Sequence, residues 1–304
     1  MRAMAIDDFG TAPTLHDLPT PVPGEGEIRV RVLAASVNGF DLAVVGGLLR
    51  GLMPYAFPIV LGKDFAGAVD VVGPAVTDFA VGDVVFGVLV KPELGEGGTF
   101  GEFVTVSAEN AAPIPAGVDP ADAAASALAG TAALAAVDAI SPTRGERVLV
   151  AGATGGVGAF AVQMASERGA CVIATARPGA EEAFVRSLGA DETVDRRGNA
   201  LIALRPDGVH SVVHLAGDPL ELTEVVDPGG RFASTLGFGA EEGDPYVSAV
   251  MATPNRITLD RLAVDLAAGR LVAPVQRTYS LDQVPQALSD FADGKLGKLV
   301  VRVA

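Results

Sequence analysis

Over the first hundred or so residues the chain switches between polar and apolar positions at short range. EIRVRVLAASV (27–37) alternates the two and then turns wholly apolar, which predicts a strand with one face on a core. FAGAVDVVG (65–73) and VGDVVFGVL (81–89) are short β-branched runs bounded by Gly- or Pro-containing turns, and they predict further strands. Around residue 117 the texture changes. Asp119-Pro120 followed by ADAAASALAG reads as a capped, alanine-rich helix. From Glu146 onward strand patterns alternate with helical ones: RVLVAG, GGVGAFAVQMASERG, CVIATAR, EEAFVRSLGA, SVVHLAG and RFASTLG. That alternation predicts a parallel sheet with crossover helices, an α/β fold. After about residue 270 come another β-like run, a short helix (LDQVPQALSDFADG) and a closing strand (KLVVRVA) expected to return to the first domain.

Composition narrows the partners. The 304 residues suit two domains of ordinary size, and no run approaches about 18 uninterrupted apolar residues, so no transmembrane helix is expected. MRAMAIDDFG lacks the pattern of a signal peptide. A formal net charge of −15 argues against nucleic acid and against an anionic membrane as partners. Cys171 is the only cysteine; it allows neither an internal disulfide nor a thiolate zinc site, so a cytoplasmic location is the default. Its place in CVIAT reads as a small buried strand residue with no nucleophilic role.

The richest chemical signal is Val148-Leu149-Val150-Ala151-Gly152-Ala153-Thr154-Gly155-Gly156-Val157-Gly158. An apolar strand runs into four glycines and a helix opens directly after them, with Val157, Phe160, Ala161 and Met164 at helical spacing. Glycines let the backbone approach a pyrophosphate, and the helix N-terminus offers it free N–H donors. Ala153 stands where the strict fingerprint has glycine. A tight turn that binds nothing is the plainer alternative. An NAD enzyme is expected to carry Asp or Glu at the end of the second strand. Here that strand ends Thr175-Ala176-Arg177-Pro178, with an arginine placed to pair with a 2′-phosphate. The expected cofactor is therefore NADPH, the alternative being that Arg177 is an ordinary surface cation.

Gly145-Glu146-x-x-Leu149-x-x-x-Ala153-Thr154-Gly155-Gly156-x-Gly158-x-x-x-x-Gln163-x-x-Ser166 resembles the quinone oxidoreductase/ζ-crystallin signature of the medium-chain dehydrogenase/reductase superfamily, with Thr154 as its one obvious mismatch. AASVNGFD, FPIVLGKDFAG and VGDVVFG are similar to the family's GroES-like domain, and GKLVVRV to its closing strand. The resemblance implies a doubly wound Rossmann parallel sheet at 113–267 and a GroES-like β-barrel domain at 1–112 and 268–304. It also implies a homodimer joined through the Rossmann sheet edge. The superfamily's zinc enzymes carry a Cys ligand in the turn that here reads Ala35-Ser36-Val37-Asn38. They carry a His ligand where this chain has Gly62-Lys63-Asp64. Asn38 and Lys63 replace neither, and the four-cysteine zinc lobe is absent, so no metal site is expected. Alcohol oxidation is then disfavoured, and quinones or α,β-unsaturated carbonyls become the expected hydride acceptors.

The same resemblance implies that Asn38 lies beside the nicotinamide; a turn residue bonding its own backbone is the plain reading. Lys63 and Asp64 are expected as a local ion pair or as exposed loop residues. The family's tyrosine aligns at about Ala43, which leaves Tyr55 as the candidate proton donor or as a packed surface residue. A threonine near the nicotinamide aligns at Ala132, with Thr131 adjacent. A lysine that meets the 2′-phosphate aligns with Glu181, which is expected to repel it, while Arg196, at the family's next tyrosine, is expected to compensate. His16, His210 and His214 are taken as structural. The cofactor is thus expected in the cleft between domains, its pyrophosphate on Gly152, Thr154, Gly155, Gly156, Val157 and Gly158. Its adenosine phosphate is expected near Arg177 and Arg196. The nicotinamide end faces Asn38, Thr131, Leu215-Ala216-Gly217 and Leu236-Gly237-Phe238. An enoyl-thioester reductase is the rival activity, and a nucleotide-binding redox sensor or scaffold the rival class.

Overall fold

The computed structural model describes residues 1–195, 197, 208–239 and 246–303. The chain begins β1 (Arg2–Ile6), β2 (Thr14–Asp17), β3 (Glu27–Ser36), α1 (Gly39–Val45), β4 (Ile59–Val60), β5 (Asp64–Val72), β6 (Val84–Val88), β7 (Phe103–Ser107) and β8 (Ala111–Pro113). It continues with α2 (Pro120–Ile140), β9 (Arg147–Ala151), α3 (Gly156–Glu167), β10 (Cys171–Thr175), α4 (Ala180–Ser187) and β11 (Glu192–Val194). Then come β12 (Val209–His214), α5 (Pro219–Thr223), β13 (Val226–Ser234), β14 (Val247–Ala249), α6 (Arg256–Ala267), β15 (Val275–Ser280), α7 (Val284–Asp293) and β16 (Lys298–Arg302).

Two compact units result, one of Met1–Leu128, Pro254–Gly269 and Val275–Ala304, the other of Ala129–Thr253 and Arg270–Pro274. They divide elsewhere than at 112/113 and 267/268. Helix α6 packs on β8 of the first unit, where the Arg256 guanidinium lies over the Phe79 ring at 5.4 Å. The short strap 270–274 is bound to the second unit by Gln163 of α3. Its amide donates to Val272 O (3.0 Å) and accepts from Val272 N (2.8 Å), which gives that signature position a physical role.

In the first unit a seven-stranded sheet runs β15-β16-β3-β5-β6-β8, with β7 also paired to β3. The alternation in β3 is realised as Ile28, Val30 and Val32 buried on the core face, while Arg29 turns outward to Asp70. The closing strand β16 pairs antiparallel with β3, Val301 opposite Ala35, and so brings the chain's last residues to the turn after β3.

In the second unit a six-stranded parallel sheet runs β11-β10-β9-β12-β13-β14. Numbered within the unit this is 3-2-1-4-5-6, the doubly wound dinucleotide-binding order, whose ligand crevice lies at the carboxyl ends where the order reverses. That point falls between β9 and β12. Helix α2 is capped as expected, Asp119 accepting from Ala121 N at 2.7 Å. With 21 residues and a mean hydropathy of 1.6 in its best window, α2 is by length and composition long enough to cross a membrane. That window is 78% buried within the protein, the pattern of a core helix.

Candidate functional site

The turn after β9 is built by glycine geometry. Gly152 has φ +93° and donates its N–H to Thr175 Oγ1 (2.8 Å), while its carbonyl accepts from Gly155 N (3.1 Å). A Cβ on Gly158 would overlap the Gly152 carbonyl and stand 2.6 Å from Ala153 Cα. The third glycine therefore lets α3 rise hard against the strand. Ala153, in place of the fingerprint's first glycine, is fully buried. Gly155 caps the helix, and the first helical bond is Ala159 N to Gly155 O (2.9 Å). The N–H groups of Gly156, Val157 and Gly158 precede that bond and point out of the helix end. This cradle fits a dinucleotide pyrophosphate. Gly156 itself has no positive φ.

Beside the turn lie the loops after β12 and β13. Leu215 N donates to Ala151 O (2.9 Å), and a Cβ on Gly152 would meet Ala216 Cβ at 3.1 Å. His214, 2% exposed, has Nδ1 3.0 Å from Ser234 Oγ and Nε2 3.1 Å from Gly217 O. The carbonyl can only accept, so Nε2 carries the hydrogen and Nδ1 accepts from the serine hydroxyl. Ser234 Oγ in turn accepts from Leu236 N (3.1 Å). One imidazole thus ties the Leu215–Gly217 loop to the Leu236–Phe238 loop, so His214 is structural and also aligns two of the expected nicotinamide loops. His16, near Thr14 and Asp7, and His210, whose Nδ1 accepts from Arg147 N (3.1 Å), are structural too.

The expected adenosine end lies at the close of β10. The end of β10 does have a carboxylate beside it: Glu181, in the first turn of α4, accepts from Arg177 N (2.8 Å) and pairs with the Arg177 guanidinium. The pair holds the Glu181 carboxyl below its usual range, chiefly through the side-chain hydrogen bond. Arg177 stays exposed, so a 2′-phosphate would have to compete with Glu181 for it. Arg196 lies outside the described residues. Its neighbour Arg197, which the motif comparison missed, is tied to Asp195 (2.7 Å), and each arginine lies within the other pair's field.

In the first unit the turn after β3 holds a buried ionic network. Asp64, at the start of β5 and fully buried, accepts from Ser36 N (2.6 Å), Ser36 Oγ (2.6 Å) and Asn38 Nδ2 (2.8 Å). Asn38 Nδ2 also donates to Ser36 O (2.9 Å), and its Oδ1 accepts from Lys298 Nζ (2.6 Å). Lys298 lies 3.9 Å from Asp64. Asp41 accepts from Asn38 N (2.8 Å) and Gly62 N (3.0 Å). Burial is the largest influence on all three charges. It pushes Asp64 up, Lys298 down and Asp41 up to about 7, against the opposing pull of their partners.

Two expectations change here. Asp64 pairs with Lys298, a residue the motifs did not single out, because β16 carries that lysine to the turn; Lys63 instead sets its ammonium 4.4 Å from the Phe40 ring centre. Asn38 is 8% exposed, and both its N–H donors are taken, which leaves one carbonyl lone pair for anything further. Nor does this donor set fit zinc. An amide and an ammonium stand where thiolate and imidazole would be needed, and Lys298 opposes a second cation.

Tyr55 is 41% exposed and sits in an edge-to-face cluster with Phe9 and Phe57. Thr131 is buried within α2. Cys171, the first residue of β10, is half-buried and not fully buried, with its thiol 3.9 Å from Glu192 Oε1 on the neighbouring strand. Burial, with Asp191 and Glu192, pushes its thiol up and away from nucleophile character.

Comparison with known proteins agrees with this architecture. Residues 24–116 match the alcohol dehydrogenase GroES-like domain, and residues 188–301 match a family described as zinc-binding dehydrogenase. A chloroplast envelope quinone oxidoreductase homolog of Arabidopsis thaliana is 37% identical over 74% of this chain and 71% of its own length. A mycocerosic acid synthase-like polyketide synthase of Mycolicibacterium smegmatis is 33% identical over 88% of the chain, which spans only 12% of that protein. Among solved structures, the quinone oxidoreductase of Coxiella burnetii superposes with a TM-score of 0.89, 25% identity and coverage of 100% and 99%. An NAD-dependent alcohol dehydrogenase has the same TM-score at 28% identity, with both chains fully covered. The chain belongs to the medium-chain dehydrogenase/reductase superfamily, a family of nicotinamide-dependent oxidoreductases, and is quinone oxidoreductase-like within it, with a GroES-like domain and a Rossmann domain.

Proposed function

We propose that this chain is an NADPH-dependent reductase that works without zinc and delivers hydride to a quinone or an α,β-unsaturated carbonyl. The observation that carries this reading is the Ser36–Asn38–Asp64–Lys298 network at the position of the superfamily's metal ligands. Its groups are already bonded to one another and supply no soft donor set. Without a Lewis acid to stabilise an alkoxide, alcohol oxidation loses its main support, and acceptors already activated by conjugation are favoured. The bound dinucleotide supplies the hydride. The Gly156–Gly158 amides would hold its pyrophosphate, and Arg177 would reach the adenosine phosphate once released from Glu181. NADPH oxidation measured against a panel of quinones and enones, with and without a chelator, tests the reading.

The match to polyketide synthases favours a second reading, an enoyl-thioester reductase. An enoyl-thioester in the same panel distinguishes the two: rates well above those of simple enones would shift the assignment.

A further inference from the structure

The first unit has a cleft, about 400 Å³ with its open mouth counted, walled by Phe40, Met53, Ile59 and Leu89 and carrying Asp41 and Lys63. Of the chain's four lysines, three have acceptors. Lys91 pairs with Glu27, Lys295 donates to Gly297 O, and Lys298 donates to Val37 O and Asn38 Oδ1. Lys63 has no hydrogen-bond acceptor among the described residues; its ammonium meets only the Phe40 ring face. A half-buried ammonium with no protein acceptor, in a cleft of mixed apolar and charged walls, has its N–H donors free for an oxygen ligand. Asn38 and Tyr55, the candidates read from the sequence, do not line this cleft.

We infer that Lys63 is a catalytic residue that hydrogen-bonds the carbonyl oxygen of a compact enone in this cleft and protonates the enolate. The inference rests on the reductase reading above. Hydride adds to the enone's β-carbon, and the C=C electron pair shifts so that negative charge collects on the carbonyl oxygen. Lys63 places one N–H proton there, giving an enol, and its neutral amine regains a proton from water. The enol then becomes the saturated ketone by proton exchange with solvent. Burial already pulls Lys63 below the usual lysine range, with Asp41 opposing, and a donor of lowered pKa transfers its proton more readily near neutral pH. The charged groups that share its cleft are Asp41 from α1, Lys91 and Glu93, and Asp64 and Lys298 act on Asp41 in turn.

The test compares Lys63→Met and Lys63→Arg with the parent, using cyclohexenone and NADPH. General acid catalysis is worth about 10²–10⁴-fold. Lys63→Met should therefore lose kcat on that scale while NADPH binding, read by nicotinamide fluorescence, is unchanged. Lys63→Arg, folded and still cationic, should keep part of kcat and lose the parent's alkaline fall in rate. Parent-like kcat and pH profile in Lys63→Met would overturn the inference. A second readout needs no turnover: the chain is reductively ¹³C-methylated, and the resonance absent from the Lys63 variants is followed as cyclohexanone is added. A shift of that resonance alone supports the assignment, and none overturns it. If the parent binds NADPH yet reduces no quinone or enone, the reductase reading fails, and the resonance still decides whether Lys63 meets a carbonyl.

Discussion

Lys298 Nζ and Asn38 Oδ1 lie 2.6 Å apart although 260 residues separate them in the chain. This contact joins the last strand to the turn after β3 and supplies the positive charge beside two buried carboxylates. Lys298→Met leaves Asp64 and Asp41 without it. Breaking a buried pair from one side costs about 3–5 kcal/mol, so a Tm loss on the order of 10 °C is expected. Calorimetry on the purified variant checks this; an unchanged Tm would show that the network contributes little to the fold.

Asp41 makes stability depend on pH. The folded chain holds its proton up to about pH 7, whereas the free carboxyl releases it near 3.8. The folded state thus binds more protons across that window, and stability falls as pH rises through it. Asp41→Asn should show a flatter dependence between about pH 4 and 7 in urea unfolding, even though the amide loses one of the two backbone bonds. A parent and variant with parallel curves would contradict the assignment.

The Arg177–Glu181 pair predicts opposite effects from its two members. Arg177→Ala should weaken NADPH about ten- to a hundredfold, the worth of a charge-assisted phosphate contact, and leave NADH nearly unchanged. Glu181→Gln frees the guanidinium and removes a negative charge, so it should tighten NADPH relative to NADH. Dissociation constants for both cofactors on all three proteins decide it; equal constants in the parent would reject NADPH selectivity.

Two glycines of the turn separate packing from binding. Gly158→Ala puts a methyl into the Gly152 carbonyl, so melting temperature and affinity should fall together. At Gly156 there is no positive φ to strain a side chain. Gly156→Val should therefore block the anion cradle with a stability cost of a few kcal/mol at most. A folded Gly156→Val protein that binds NADPH as well as the parent would show that this turn is not the pyrophosphate site.

The element order was legible because its causes are local. Ile28, Val30 and Val32 alternate with polar neighbours, and Gly152–Gly158 follow an apolar strand directly. What the sequence hid was long-range. Lys298 reads as one cation in an apolar strand, and only the β16–β3 pairing shows that it meets Asn38 and Asp64. Glu181 follows Arg177 by four residues, yet its turn back onto the β10 end depends on how α4 begins. Lys63 reads as a partner for its neighbour Asp64, but it lies just before β5 with its ammonium on the Phe40 ring, whereas Asp64 opens the strand fully buried. Asp64 turned inward and Lys63 toward the cleft.

Zinc-free reduction is tested by NADPH oxidation against quinones and enones, before and after exhaustive chelation, with bound metal assayed on the same sample. Turnover with at least one conjugated acceptor, unchanged by the chelator, is expected together with less than stoichiometric zinc. Stoichiometric zinc, with activity lost on its removal and restored on its return, would contradict it.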